Sequence, residues 1–166
     1  AVQKIVRVRP DAHARFDAVE RTYYYYITTE KNPFRVEHYY RIPFDVDFGR
    51  MNEAADLLVR KGDFASFAKT NSDVKTTICD VRRAVWVDLG DNAWRFEITA
   101  DRFLRNMVRA VVGTLLDVGR GRMQPSDMEN VLRNRNRCAA GESVFGGALF
   151  LHEVKYPANV FDYELP

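Results

Sequence analysis

Cysteine and histidine are scarce in this chain, which has two cysteines and three histidines among its 166 residues. Cys79 and Cys138 lie far apart and form no CxxC pair, so the sequence predicts neither a zinc site nor a disulfide framework. We interpret both as free thiols. Because free thiols are typical of a reducing compartment, we expect a cytoplasmic protein without a bound metal.

Long apolar runs are also missing. No segment approaches the roughly 20 apolar residues that span a bilayer, and residues 1–10 lack the apolar block and cleavage site of a secretory signal. The absence of Walker A, GxGxxG, HExxH and GxSxG motifs disfavours the enzyme classes that those motifs define. With 46% hydrophobic residues the chain can bury a core, and we predict a single domain over residues 1–166.

Positive charge is concentrated in one part of the chain, although the net charge is only +2. Eight arginines oppose three acidic residues between Arg102 and Arg137, a local charge of +5, whereas the segment from Glu142 to the C-terminus carries −3. This asymmetry suggests a polyanionic partner, with nucleic acid as the leading candidate. Charge alone supports equally well the alternative that these arginines only keep helices soluble.

Alternating patterns predict the strands. Residues 2–8 alternate and predict a short strand. The four tyrosines Tyr23–Tyr26, followed by Ile27 and two threonines, predict a second strand, because aromatic and β-branched side chains pack well on a pleated backbone. Since side chains alternate between the faces of a strand, the first and third tyrosines share one face with Ile27, and the second and fourth share the other.

Further along the chain, residues 76–100 predict a hairpin with its turn at residues 90–92. The segment 36–43 extends as an edge strand or a loop, and residues 143–156 contain a Gly-Gly turn and a final strand. Asp47 suits the N-cap of a helix over residues 48–62.

Three more helical elements are predicted: a short turn within residues 63–70, a helix over residues 101–118 and a helix over residues 128–135. In the second of these, apolar residues form one broad arc, while Arg102, Arg105 and Arg109 gather on the opposite side as a cationic row. Strands, a hairpin and inserted helices together predict an α+β fold, in which helices flank a mostly antiparallel sheet.

Arginine and tyrosine are the residues that suggest a chemistry. Arg15 and Arg21 flank the turn into the tyrosine strand, and Arg109 lies on the predicted helix after the hairpin. Arginine binds phosphate with two parallel hydrogen bonds, and tyrosine offers a flat face to an unstacked base, so the combination suits RNA. For Tyr23 alone, the commoner role is that of a sheet residue with a satisfied hydroxyl.

A series of motifs along almost the whole chain resembles the tRNA pseudouridine synthase A family: HARFDA, RTYYY, GDFASF, FEITAxxFLxxMVRxxVGTLLxVGxG and NRxxAG. The resemblance implies the pseudouridine synthase fold, a mixed sheet flanked by helices, with no cofactor and usually a homodimer. It also implies the reaction. In the anticodon arm of tRNA, at positions 38 to 40, the glycosidic bond of uridine is cut and the base is rejoined through C5.

The resemblance carries over to individual residues. Tyr23 matches the active-site tyrosine that stacks on the target base, and Arg109 matches the arginine that pairs with the catalytic aspartate. Arg15 and Arg21 match basic positions near the RNA. Within the cationic row, only Arg109 has a site role that the resemblance implies. Arg102 and Arg105 are candidates from the charge pattern alone, and they are free to contact phosphate or solvent.

One departure is large. In the family, the nucleophilic aspartate belongs to an Arg-Thr-Asp-Ala-Gly motif upstream of HARF, and this sequence has no such motif. Asp11 and Asp17 match no catalytic position. We therefore expect this chain to be the C-terminal part of a longer enzyme and to be inactive by itself. A smaller departure lies at residues 143–151, where Val144 and Phe145 stand in place of Ala-Pro, and Ala148 replaces the glycine of Gly-Leu.

Two alternatives remain open. In the first, the chain is a non-catalytic RNA-binding or dimerisation module that keeps the fold without the chemistry. In the second, it is an unrelated soluble domain whose arginines only cover its surface. The last alternative predicts tRNA affinity that hardly changes with salt, whereas phosphate contacts make affinity fall steeply as salt rises.

Overall fold

The computed structural model describes residues 2–70 and 75–161, and these contain a six-stranded sheet and three α-helices. The strands are β1 Glu20–Thr28, β2 Tyr40–Arg41, β3 Lys61–Asp63, β4 Ile78–Asp88, β5 Ala93–Ala100 and β6 Leu149–Lys155, and the helices are α1 Phe48–Asp56, α2 Met107–Gly119 and α3 Asp127–Asn134. The predicted α+β class, with a mostly antiparallel mixed sheet, is confirmed.

The tyrosine strand β1 lies inside the sheet, whose order is β2-β1-β5-β4-β3. Along one edge β1 pairs with β5, and its other edge is shared by β6, which pairs with Glu20–Tyr25, and by the short parallel strand β2. The predicted alternation of the tyrosines is also confirmed. Tyr25 and Ile27 are fully buried, whereas Tyr24 and Tyr26 are half-buried on the other side.

The two faces of the sheet therefore differ. On the covered face, Tyr25, Phe96 and Ile98 join one hydrophobic core with residues of α1 and α2. Fully burying such a side chain stabilises the fold by about 1.5–3 kcal/mol. The open face is defined by the side chains that alternate with these in register across β4, β5, β1 and β6: Thr22, Tyr24, Tyr26, Arg83, Arg95, Glu97, Thr99, Phe150 and Glu153. His152, which lies at the register shift of β6 and stacks on Tyr24, belongs to the same face.

The predicted strand over residues 2–8 is wrong. Val2 and Ile5 are 80% and 90% exposed, and the segment forms a single antiparallel bridge, from Val8 to Phe161. Its alternating pattern is real, but Val6 is its only half-buried apolar side chain and the others are exposed. A strand needs partners along its edge, and here the sheet lies elsewhere.

The predicted helix over residues 101–118 begins six residues later, at Met107. Asn106 adopts a left-handed conformation with φ of 71°, which an α-helix cannot contain. Leu104 is nevertheless buried, so the apolar pattern reports burial of a packed loop rather than a first helical turn. The predicted cationic row does not exist as a helix face, because Arg102 and Arg105 lie in that loop and only Arg109 is on α2.

Most other predicted elements are confirmed. Asp47 caps α1, its Oδ1 accepting a hydrogen bond from the backbone nitrogen of Arg50 at 3.0 Å. This helix stops at Asp56, and Gly62, expected at the helix end, lies in β3. The hairpin turns at residues 90–92, all three with positive φ. Cys79 and Cys138 are free thiols. None of the helices in the described ranges is long and apolar enough to cross a membrane.

Candidate active site

Tyr23 lies on the covered face of β1, with Ile98 opposite it in β5 and Leu151 opposite it in β6. Its ring is half-buried and meets Phe103 edge-on, with centroids 5.1 Å apart and an interplanar angle of 89°. The pairing of β1 with β6 shifts register between Thr22 and Tyr23. Such an irregularity bends a strand locally and redirects side chains, and it is common beside functional sites.

Arg109 lies in the first turn of α2. Its Nε donates to the carbonyl oxygen of Val144 at 2.7 Å, and the Val144 nitrogen donates back to the Arg109 carbonyl at 3.3 Å. A Cβ added to Gly146 would lie 3.6 Å from Cζ of Arg109, so the chain passes close to the guanidinium at this glycine. The terminal nitrogens Nη1 and Nη2 form no ion pair with any carboxylate in residues 2–70 or 75–161.

Tyr25 holds the same loop from the sheet. Its hydroxyl donates to the carbonyl oxygen of Phe145 at 2.7 Å. Burial raises the pKa of Tyr25 well above the ordinary value for tyrosine, although the nearby charge of Arg109 opposes the rise. The hydroxyl therefore stays protonated and donates. Loop residues 144–148 are fixed at one point by Arg109 and at the next by Tyr25, and they lead directly into β6. Tyr23 and Arg109 thus belong to the same side of the sheet.

Arg21, a predicted RNA-binding residue, has a different environment from the one expected. Its guanidinium donates to three backbone carbonyls, those of Ala18 at 2.8 Å, Asp101 at 2.6 Å and Arg15. These bonds tie the HARF loop to the loop that precedes α2. A phosphate would have to displace them, so the geometry favours Arg21 as an internal anchor. Arg15 is exposed, with its guanidinium 5.7 Å from the centroid of the Phe16 ring.

Arg102 and Arg105 both lie on the loop between β5 and α2. The side chain of Arg105 is exposed, and its carbonyl accepts from the Lys69 nitrogen at 2.9 Å. Arg102 is half-buried near Cys79. Burial and then Asp101 raise the pKa of the Cys79 thiol to about 11, against the opposing charge of Arg102. Arg21 thus links the HARF loop, which contains Arg15, to the loop before α2, which contains Arg102 and Arg105.

Two residues near the site were not identified from the sequence as site residues. Phe103 contacts Tyr23, and its signal was present in the FLxxM motif, where it was interpreted as part of a helical core stripe. Arg137 donates to the loop that meets Arg109, and its signal was the NRxxAG motif. In the part of the chain that the structure describes, no group of three or more histidines, cysteines or carboxylates is arranged to hold a metal ion.

A mostly antiparallel mixed sheet with helices packed against it is the architecture that the resemblance to the pseudouridine synthases implies. Comparison with known families agrees. Residues 54–157 match the family model described as tRNA pseudouridine synthase, and the chain belongs to that family.

The chain is similar to proteins named tRNA pseudouridine synthase A from several bacteria. It is 54% identical to the protein of Bacteroides fragilis over 162 residues, which are 98% of this chain and 64% of the relative. The relative from Parabacteroides distasonis is 55% identical over 99% of the chain and 65% of its own length. The relative from Bacillus subtilis is 36% identical over 87% of the chain and 59% of its own length. This chain therefore spans less than two thirds of the length of these relatives.

Proposed function

We propose that the full-length protein isomerises uridine to pseudouridine at positions 38 to 40 in the anticodon arm of tRNA, and that this chain supplies Tyr23 and Arg109. The nucleophilic aspartate comes from the part of the protein outside these 166 residues. The observation that carries the proposal is the environment of the Arg109 guanidinium. This guanidinium is held through Nε on the same side of the sheet as Tyr23, and no carboxylate of the described residues pairs with it.

The chemistry suits these groups. The bond between C1′ and N1 breaks, a bond between C1′ and C5 forms, and N1 ends with the proton that C5 loses, so the step needs no oxidant and no cofactor. An aspartate that attacks as a nucleophile must be ionised, and a guanidinium within about 4–6 Å favours the charged form of a carboxylate. Tyr23 offers a ring face to the base and a hydroxyl that can take part in proton transfer.

The RNA itself is expected to lie on the rim formed by the HARF loop and the loop before α2. Arg15 and Arg105 are exposed there and Arg102 is half-buried, and we propose all three as phosphate contacts. Arg21 is proposed to keep the two loops together instead. A tRNA-modifying enzyme also works where tRNA is made and used, so we propose a cytoplasmic location.

The test uses the full-length protein and unmodified tRNA, with Arg109→Ala compared with Arg105→Ala. For Arg109→Ala we expect kcat to fall by about 10²–10³-fold while the Kd for tRNA stays within about twofold, because a transition-state interaction is lost. Arg105→Ala should weaken binding and lower the salt slope of affinity by about 1. Arg122→Ala is the matched control, since its partner Asp117 lies towards the far end of α2.

An equal loss of kcat and affinity in Arg109→Ala would show a phosphate contact and contradict the proposed role. The 166-residue chain alone is expected to form no pseudouridine, and turnover comparable to that of the full-length protein would contradict the placement of the nucleophile. A full-length sequence without an Arg-Thr-Asp-Ala-Gly segment, together with tRNA binding without turnover, would favour the non-catalytic module.

We also propose that the protein forms a homodimer through the open face. The helices α1 and α2 pack on the other side of the sheet, and the open face has a shallow depression lined by Tyr24, Tyr26, Phe150 and His152. A two-fold interface must be complementary to itself. The mixture of acidic and basic side chains next to the aromatic ones on this face supports the proposal, because opposite charges of the two copies could then meet.

The oligomeric state tests this part. Phe150→Asp would place a charge in the centre of the interface, so we expect the full-length protein to sediment as a monomer. Phe34→Asp is the matched control, because Phe34 is 95% exposed and is not part of the open face. A Phe150→Asp variant that stays dimeric would place the interface elsewhere, and a monomeric wild-type protein would remove it.

A further inference from the structure

We propose that Arg137 positions Arg109 by fixing the loop of residues 140–144, an inference that rests on the proposed role of Arg109 in catalysis. Arg137 follows α3 and is half-buried. It belongs to the NRxxAG motif, to which neither the core nor the proposed chemistry has so far given a function.

The guanidinium of Arg137 binds the loop at three points. Nη1 donates to the carbonyl oxygens of Ala140 at 3.2 Å and Gly141 at 2.9 Å, and Nη2 donates to Oγ of Ser143 at 2.9 Å. Only the planar fork of arginine presents donors in such a fixed arrangement, whereas a lysine ammonium is a single point charge. One side chain therefore binds three residues within the four-residue segment 140–143.

The same loop is seated on α2. The nitrogen of Gly141 donates to Oγ1 of Thr114 at 2.8 Å, and a Cβ added to Gly113 would lie 1.7 Å from the carbonyl oxygen of Glu142. The approach is thus possible only because Gly113 has no side chain. Asn106 donates through Nδ2 to the Oγ of Ser143 at 2.6 Å, so this hydroxyl is bound by α2's N-cap residue as well as by Arg137.

The last residue of the loop, Val144, contacts Arg109. Val144 exchanges two hydrogen bonds with Arg109, one of them to Nε of the guanidinium. Any displacement of the loop moves the Val144 carbonyl oxygen, and with it the plane of the guanidinium. Displacements of about 1 Å in a catalytic arrangement can cost about 100-fold in rate, so a residue that fixes the loop is expected to affect kcat.

The opposing interpretation is that Arg137 binds an RNA phosphate. Against it, both terminal nitrogens are already engaged with loop acceptors. The two interpretations predict different results for a lysine variant, because lysine keeps the charge that a phosphate needs but loses the fork that the loop needs.

The experiment uses the full-length protein with Arg137→Lys, Arg137→Gln and Ser143→Ala. We expect kcat for pseudouridine formation to fall by about 10- to 100-fold in both Arg137 variants and less in Ser143→Ala, with the KM for tRNA within about twofold of wild type. The matched control is Arg60→Gln, which breaks a two-bond ion pair between Arg60 and Glu129 on α3 without touching the loop. Its kcat should be unchanged, although it loses stability.

A second measurement does not depend on activity. In protein labelled with ¹⁵N-arginine, the Nε–Hε signal of Arg109, assigned through Arg109→Lys, should exchange slowly with water in wild type and Arg60→Gln, because Nε is bonded to Val144. It should exchange faster in the Arg137 and Ser143 variants. If Arg137→Gln does not fold, Arg137→Lys and Ser143→Ala provide the test.

Wild-type kcat in Arg137→Lys, or unchanged exchange of the Arg109 signal in all three variants, would overturn the proposal. A loss confined to KM that shrinks as salt rises would do so too, and would assign Arg137 to phosphate binding. If the wild-type protein forms no pseudouridine, the proposed function fails, while the exchange measurement still decides whether Arg137 fixes Arg109.

Discussion

The covered and open faces of the sheet receive alternate members of one run of four tyrosines. On the covered face, Tyr25 is completely buried, and its hydroxyl has a single backbone acceptor, the carbonyl of Phe145. On the open face, Tyr24 stacks on His152 with centroids 3.9 Å apart, and the guanidinium of Arg95 lies 4.3 Å from the centroid of the Tyr24 ring. The same residue type is thus used in the core on one side and in a charged aromatic surface on the other.

This difference shows how position in a strand, rather than residue type, decides what a side chain does. The covered face combines core and chemistry, since Tyr25 fixes the loop that contacts Arg109 while Tyr23 remains half-buried at the site. The open face contributes little to the core and is the face that we propose as the dimer interface. The two faces should therefore respond differently to mutation and to pH.

The largest expected difference between the faces is in the free energy of unfolding when a tyrosine of each face is replaced by alanine. Tyr25→Ala leaves a cavity in the core and removes the bond to Phe145, and we expect unfolding free energy to fall by about 3–5 kcal/mol. Tyr24→Ala loses a stack and a cation–π contact at a partly exposed site, at a cost of about 1 kcal/mol. Urea unfolding followed by circular dichroism measures both. Similar losses would mean that the open face is packed as tightly as the core.

The next largest expected effect is the fall in kcat when the hydroxyl of Tyr23 is removed. In the full-length protein, Tyr23→Phe keeps the ring that stacks and removes the hydroxyl, and we expect kcat to fall by about 100-fold because proton transfer is lost. Affinity for tRNA should be unchanged. Tyr26→Phe on the open face is the matched control and should keep full activity. Full activity in Tyr23→Phe would assign the residue to stacking alone.

The two faces of the sheet could be predicted from the sequence, whereas the start of α2 could not. The period of two in the tyrosine strand was sufficient to assign the faces, because each alternate residue meets the same kind of surroundings along the sheet. The helix start was not predictable in this way. Residues 101–106 have helical spacing and a buried Leu104, yet Asn106 adopts the left-handed conformation. Asparagine adopts that conformation more readily than most residues, but the apolar pattern does not show that it is used at this position.

The site shows a similar limit. Tyr23 and Arg109 were identified through motifs, which record the chemistry of a family without specifying contacts. Arg21 was assigned to RNA on the same grounds, but one acceptor of its guanidinium, the carbonyl of Asp101, lies 80 residues away in the sequence. Contacts of that kind depend on the complete fold. Sequence spacing therefore indicates that an arginine is important but not which partner it binds.

Alkaline pH is expected to weaken the covered face. Burial raises the pKa of Tyr25, so the folded state keeps a proton that the unfolded state loses above about pH 10. Stability should therefore decline as pH rises from about 10, by up to about 1.4 kcal/mol per pH unit for one such group. Tyr25→Phe loses about 1 kcal/mol at neutral pH with its hydrogen bond, but its decline above pH 10 should be shallower. Parallel curves for the two proteins would contradict this assignment.

Acid pH is expected to act on the open face, with the smallest effect. Burial opposes ionisation of Glu97, but hydrogen bonds from Arg83 and Arg95 outweigh it and hold the pKa of Glu97 below its ordinary value. The folded state thus releases the proton more readily than the unfolded state, so this stabilisation is present above about pH 4.5 and is lost as pH falls. Because Arg83 is about half exposed, we expect only about 0.5–1 kcal/mol. Glu97→Gln should remove that much at pH 7 and flatten the acid side of the urea-midpoint profile, while the alkaline side, to which the buried Tyr25 and Cys79 contribute, stays as in wild type. A change on both sides would show that the two faces are coupled through the sheet.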